Sequence, residues 1–234
     1  MRAAVQWIRG HAAELNIDPV RIALMGDSAG AHLGSLVALA GDSPRFVDAY
    51  PDDPDAKQST KVKAVVGVYG VYDLIAEWRR AVVTRPFDNV TQNLMGYPPM
   101  QDLQSWYAAS PIAHATFGNN STAFLLVWST EDDIADPAIQ SEPFLLALKQ
   151  AQFYVRTVVV PFAPHFWMAD PVGEEGSFPG FLAPRCCGFW RSVFSESSAG
   201  FELARVIPTR AGPGIVEPLP RTAMGRVEDG RGAA

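Results

Sequence analysis

One pentapeptide, Gly26-Asp27-Ser28-Ala29-Gly30, narrows the folding options of this chain more than any other feature. It stands between the short apolar run Arg21-Ile22-Ala23-Leu24-Met25 and a stretch from Ala31 to Ala40 that is rich in Ala and Leu. The run reads as a buried strand. The stretch reads as a helix whose end is marked by Gly41 and Pro44. A serine at such a junction sits on a sharp turn with strained backbone angles, which lifts its hydroxyl clear of the sheet. Gly26 and Gly30 are expected there because a Cβ at either position would collide with the neighbouring strand or helix. The positive end of the new helix faces the hydroxyl. The Ala29 N–H is the expected donor to an oxyanion forming beside it. Small residues around a serine are common, so the flanking strand and helix, not the pentapeptide alone, separate this reading from a plain structural turn.

Three further runs read as strands: Val62 to Tyr69, Ala123 to Trp128 and Tyr154 to Val160. Helical material lies between them. Leu74 to Ser110 is mixed, and Pro137 to Gln150 reads as a helix with Asp136 as N-cap and Pro137 at its first position. Pro143 either kinks that helix or delays its start. Ala4, Ile8, Ala12 and Leu15 fall on one helical face, and Asn16-Ile17-Asp18-Pro19 ends the helix. Ser43 to Thr60, with three prolines, reads as a surface loop. Strand and helix alternate four times, which predicts a parallel sheet with crossover helices and both faces covered. Residues 1–198 read as one partial catalytic domain. Residues 199–234, dense in Pro, Gly and Arg, read as a disordered tail.

A serine hydroxyl is a poor nucleophile at neutral pH and needs a base, which in turn needs an acid to orient it. After a nucleophile turn of this type the acid and then the histidine follow, each in a loop after a strand. Trp128 is followed by Ser129-Thr130-Glu131-Asp132-Asp133, and Val160 by Pro161-Phe162-Ala163-Pro164-His165. Asp132 is therefore the expected acid, with Glu131 and Asp133 as competitors, and His165 the expected base. His11 and His114 are expected at the surface, and His32 is expected to pack or cap.

The formal net charge of −6 argues against a nucleic-acid partner, which would require a basic face. No apolar run approaches membrane-spanning length, and the start lacks the pattern of a secretory signal. The two cysteines, Cys186 and Cys187, are adjacent and suit neither a disulfide framework nor a metal site. A reducing, cytoplasmic location is the expectation.

Together these segments resemble the hormone-sensitive-lipase-like and acetyl-esterase/lipase type of α/β-hydrolase. The resemblance rests on Gly26-Asp27-Ser28-Ala29-Gly30-Ala31-His32-Leu33, on Asn16 to Ile22, on Tyr69-Gly70-Val71-Tyr72-Asp73-Leu74, on Ala109-Ser110-Pro111-Ile112, and on the acid and histidine loops. It covers about residues 1 to 185. It implies an α/β-hydrolase fold and hydrolysis of small or short-chain carboxylic esters through an acyl-enzyme on Ser28, with no metal or organic cofactor. The chain departs from the family in two places. No His-Gly-Gly tripeptide occurs, and the strands and oxyanion loop that precede the nucleophile in the family are expected to be absent. After Arg185 the leucine-rich last helix is expected to break off. These departures leave two alternatives to the esterase reading: an impaired or inactive hydrolase-fold fragment, and an amidase or peptidase on the same three residues. Tyr69, Tyr72, Trp78, Trp106, Tyr107, Phe166 and Trp167 are candidate pocket walls, with core packing the equal alternative for each.

Overall fold

The computed structural model describes residues 1–47 and 50–195. The tail expected from residue 199 lies outside them. In chain order the main elements are α1 (Arg2–Gly10), β1 (Ala23–Asp27), α2 (Ala29–Ala40), α3 (Pro44–Val47), β2 (Ala64–Val68), α4 (Leu74–Thr84), α5 (Val90–Met95), α6 (Leu103–Ala108), β3 (Ala123–Ser129), α7 (Ser141–Gln150), β4 (Val155–Val160) and α8 (Phe178–Phe194). The four strands form one sheet in the order β1-β2-β3-β4. Every pairing is parallel, with Gly26 beside Gly67 and Val68 beside Val127. This is the α/β architecture that the alternation of elements predicts.

Side chains along a strand point alternately to its two faces, and here each face has its own core. On one face Val65, Phe124 and Leu126 pack with Ala31, Phe144 and Leu148. On the other, Val66, Val68, Leu125 and Val127 pack with Trp167, Leu182 and Phe189. The central strands β2 and β3 are buried along their whole length. The expectation that all strands are covered on both faces holds only for these two. On the outer strands Met25 remains 49% exposed and Val159 43% exposed.

Three local expectations are corrected. Helix α1 stops at Gly10, well before Asn16, and its buried residues are Val5 and Gln6, while Ala4 and Leu15 are exposed. Gln6 can be buried because its side-chain amide donates to the carbonyls of Ala56 and Gln58, both at 2.8 Å. Helix α7 begins at Ser141 and not at Pro137, the delayed start that Pro143 left open, so Pro143 falls in its first turn, where a missing N–H costs nothing. Asp136 instead closes a turn through the Ala138 amide at 2.9 Å. Helix α8 runs unbroken to Phe194, with Leu182, Cys186, Phe189 and Val193 buried at helical spacing. Cysteine, phenylalanine and valine thus continue the stripe after Arg185 where leucines were expected. No helix among the described residues is long and apolar enough to cross a membrane.

Candidate active site

Strand β1 delivers Ser28 to the carboxyl end of the sheet, and α2 begins at the next residue. Ser28 has φ 48° and ψ −115°, a strained conformation for a residue with a side chain. The turn is held by the Ser28 amide, which donates to the Val68 carbonyl at 2.9 Å, and by the His32 amide, which donates to Ser28 O at 3.1 Å. Its tightness depends on Gly26. A Cβ there would come within 2.5 Å of the Gly30 carbonyl carbon and 2.7 Å of its oxygen. Gly26→Ala is therefore expected to force backbone apart and to cost about 1–3 kcal/mol of folding stability, read from urea unfolding. Gly30 does not meet the expectation made for it. A Cβ at Gly30 would project into open space, so it is the backbone of Gly30, not its missing side chain, that the turn requires.

The loop after β3 and the loop after β4 converge on this turn. His165 Nε2 lies 3.0 Å from Ser28 Oγ. His165 Nδ1 lies 2.9 Å and 2.8 Å from the two carboxylate oxygens of Asp132. With Nδ1–H donating to the carboxylate, the neutral imidazole presents Nε2 as acceptor for the serine hydroxyl. Asp132 is itself oriented by its own loop: its Oδ1 accepts from the amides of Ile134 at 2.9 Å and Ala135 at 2.8 Å. The side chains of His165 and Asp132 are 1% and 0% exposed, so the pair is sheltered from water, while Ser28 is half-buried. The first amides of α2, beginning with Ala29, have no acceptor within the helix and sit beside the serine.

The structure thus brings Ser28, Asp132 and His165 together and leaves the competitors outside. Glu131 and Asp133 are exposed. His11 stacks on Trp7 and lies 3.4 Å from Asp55. His32 is buried on α2, its Nδ1 2.8 Å from the Val71 carbonyl, and burial holds its pKa below the ordinary imidazole value. His114 is half-buried, not exposed as expected, because its Nε2 reaches the Ala108 carbonyl at 2.8 Å.

The aromatic residues divide. Tyr69, at the end of β2, packs its ring 4.5 Å from the imidazole of His165, and Phe166 meets the same imidazole edge-on at 4.4 Å. The Tyr69 hydroxyl donates to Asp27 Oδ2 at 3.2 Å, and burial, with Asp27 adding to it, pushes the phenol well above its usual range. Trp167 packs edge-on against Tyr69 at 5.6 Å. Tyr72 and Trp106 are core residues, fully buried. Trp78 packs edge-on against Trp106 at 6.4 Å. Tyr107 lies instead on an open cleft of about 630 Å³ with Asp73, Ile75, Ala76, Arg79 and Leu103, and none of Ser28, Asp132 and His165 lines that cleft.

Two residues that sequence reasoning passed over stitch the acid loop to the histidine loop. Buried Ser129 donates its hydroxyl to the Ala163 carbonyl, and the Phe162 amide donates to Thr130 Oγ1 at 3.0 Å. Their position between the apolar run that ends at Trp128 and the acid was the available signal. Among the described residues no three His, Cys, Asp or Glu side chains group as a metal site would require.

Comparison with known proteins shows the family and the fold. A family model described as BD-FAE matches residues 1–148, more than half of the chain. The chain belongs to that family. It is 30% identical over 203 residues to the probable carboxylic ester hydrolase LipM of Mycobacterium tuberculosis, a match covering 86% of this chain and 44% of LipM. It is 29% identical over 151 residues to the esterase LipQ of the same organism, covering 64% of this chain and 34% of LipQ. The chain therefore spans less than half the length of these curated relatives. Among solved structures, the thermophilic esterase Est2 of Thermogutta terrifontis superposes with a TM-score of 0.62 at 23% identity, covering 82% of this chain and 63% of Est2. Est2 has been solved with propionate and with butyrate bound. An acetyl ester-xyloside bifunctional hydrolase of Caldicellulosiruptor lactoaceticus gives a TM-score of 0.59 at 22% identity, covering 82% of this chain and 63% of that one. At these identities the likeness shows the α/β-hydrolase fold.

Proposed function

We propose that this BD-FAE family member hydrolyses carboxylic esters of small or short-chain acyl groups, with Ser28 as nucleophile, His165 as general base and then acid, and Asp132 as the acid that orients the imidazole. The observation that carries the reading is the continuous hydrogen-bonded chain from Asp132 through His165 to Ser28, delivered on a strained turn at a helix N-terminus. Ser28 Oγ attacks the ester carbonyl carbon while its proton passes to His165 Nε2. The carbonyl oxygen becomes an oxyanion and accepts a hydrogen bond from the Ala29 N–H, with the positive end of α2 behind it. Collapse of the tetrahedral adduct expels the alkoxide, which leaves as the alcohol with the proton from His165. Water, deprotonated by the same imidazole, then attacks the acyl-enzyme and releases the carboxylic acid and free Ser28.

The names of the relatives support an ester over an amide, and the propionate- and butyrate-bound neighbour supports a short acyl group. A panel of p-nitrophenyl esters of increasing chain length, run beside the matching anilides, tests both points. The acetate to butyrate esters are expected to turn over fastest. Faster turnover of an anilide than of its ester would contradict the assignment.

A further inference from the structure

The acid loop is gripped from outside by a residue that no motif marks. Arg80, on α4, donates from Nη1 to the Ile134 carbonyl at 2.9 Å and from Nη2 to the Asp133 carbonyl. These two carbonyls belong to the same short turn whose Ile134 and Ala135 amides hold Asp132 Oδ1. The guanidinium is held in turn by buried Glu77 one helical turn earlier, 3.9 Å away, and Glu77 also receives Arg85 at 2.7 Å. A second bridge fixes the chain beyond the turn. Gln140, fully buried, accepts from the amides of Tyr72 and Asp73 at 2.8 Å and 2.9 Å, and its amide donates to the Asp73 carbonyl at 3.1 Å. Arg80 thereby ties the turn that carries Asp132 to α4, while Gln140 ties the chain five residues further on to the segment that caps α4.

We propose that Arg80 is a positioning residue for the reaction: its planar fork locks the Asp133 and Ile134 carbonyls and so fixes the turn that aims the Asp132 carboxylate at His165. Bidentate capture of two successive carbonyls suits a guanidinium, whose donors lie in one rigid plane. The same guanidinium pairs the Ile134 carbonyl in a partly buried contact, where an unpaired acceptor would be costly. The inference rests on the Ser28–His165–Asp132 reading and acts only through Asp132. Arg80 touches neither serine nor imidazole.

The test is a double-mutant cycle on p-nitrophenyl acetate hydrolysis, using Arg80→Met, which keeps much of the aliphatic stem, Asp132→Asn, and the pair. Arg80→Met is expected to lower kcat by about 10- to 100-fold, the scale of a small misplacement of a catalytic group, with KM unchanged. In the Asp132→Asn background the same change is expected to have almost no further effect, because the two act through one interaction. Arg80→Lys, which keeps the charge but not the fork, is expected to fall between parent and Arg80→Met. It also serves as the decisive variant should Arg80→Met fail to fold. Parent-like kcat in folded Arg80→Met or in Arg80→Lys, an equal fall in both backgrounds, or a change confined to KM would overturn the proposal. Failure of the triad reading looks different: Asp132→Asn alone would then turn over at the parent rate, and the clamp would lose its purpose with it.

Discussion

Ser28→Ala is expected to lower kcat for p-nitrophenyl acetate on the order of a million-fold, leaving only what binding and the helix N-terminus provide. The size follows from the site's construction. The hydroxyl lies 3.0 Å from His165 Nε2, and removing it takes away the serine proton that the imidazole would accept. The fold should tolerate the change, because alanine is smaller and the strained turn is held by the backbone bonds of Ser28 and by Gly26, none of which involves the hydroxyl. Steady-state kinetics and thermal unfolding of the same preparation separate the two effects. Loss of activity with an unchanged melting temperature is the expected pair of results. Residual activity within tenfold of the parent would remove Ser28 from the mechanism.

Asp132→Asn is expected to cost about 10⁴-fold in kcat, close to the effect of changing the acid of a serine triad to its amide. The hydrogen bonds explain why an isosteric change is so damaging. Oδ1 of Asp132 accepts two backbone amides, so the substituted side chain keeps its carbonyl oxygen on that side. Its NH₂ group then faces His165 Nδ1 and donates to it. That moves the ring proton to Nε2, which can no longer accept from Ser28. Both members of the pair are buried, so water offers no substitute partner. A kcat within threefold of the parent would show that Asp132 does not hold the imidazole.

The four strands, and the loops that bring Ser28, Asp132 and His165 together, were legible because each is written locally. Val65, Val66, Phe124 and Leu126 belong to continuous apolar runs, as strands covered on both faces must. Ser28, Asp132 and His165 each lie in the turn or loop after a strand, β1, β3 and β4 in turn, in the chain order that the nucleophile turn demands. What escaped reading depends on partners distant in sequence. Gln6 looks like a surface residue until the carbonyls of Ala56 and Gln58, some 50 residues on, satisfy it. That satisfaction lets Gln6 join Val5 on the buried face of α1, with Ala4 left exposed. Arg80 is one of two adjacent arginines on α4, and its 54-residue reach to Ile134 singles it out. Tyr69 was visible as an aromatic near the site, but its hydrogen bond to Asp27 across the β1–β2 pairing needed the register of the sheet. Cys186 and Phe189 broke a leucine pattern by name and kept it by position.

The central claim is that Ser28 is an activated nucleophile, and labelling by a fluorophosphonate probe tests it most directly. The chain would be incubated with the probe, the adduct located by peptide mass spectrometry, and folding checked by circular dichroism on the same sample. The account predicts one adduct, on Ser28, formed by the folded chain and lost in His165→Ala. A folded chain that takes no adduct, or takes one on a different residue, would contradict it.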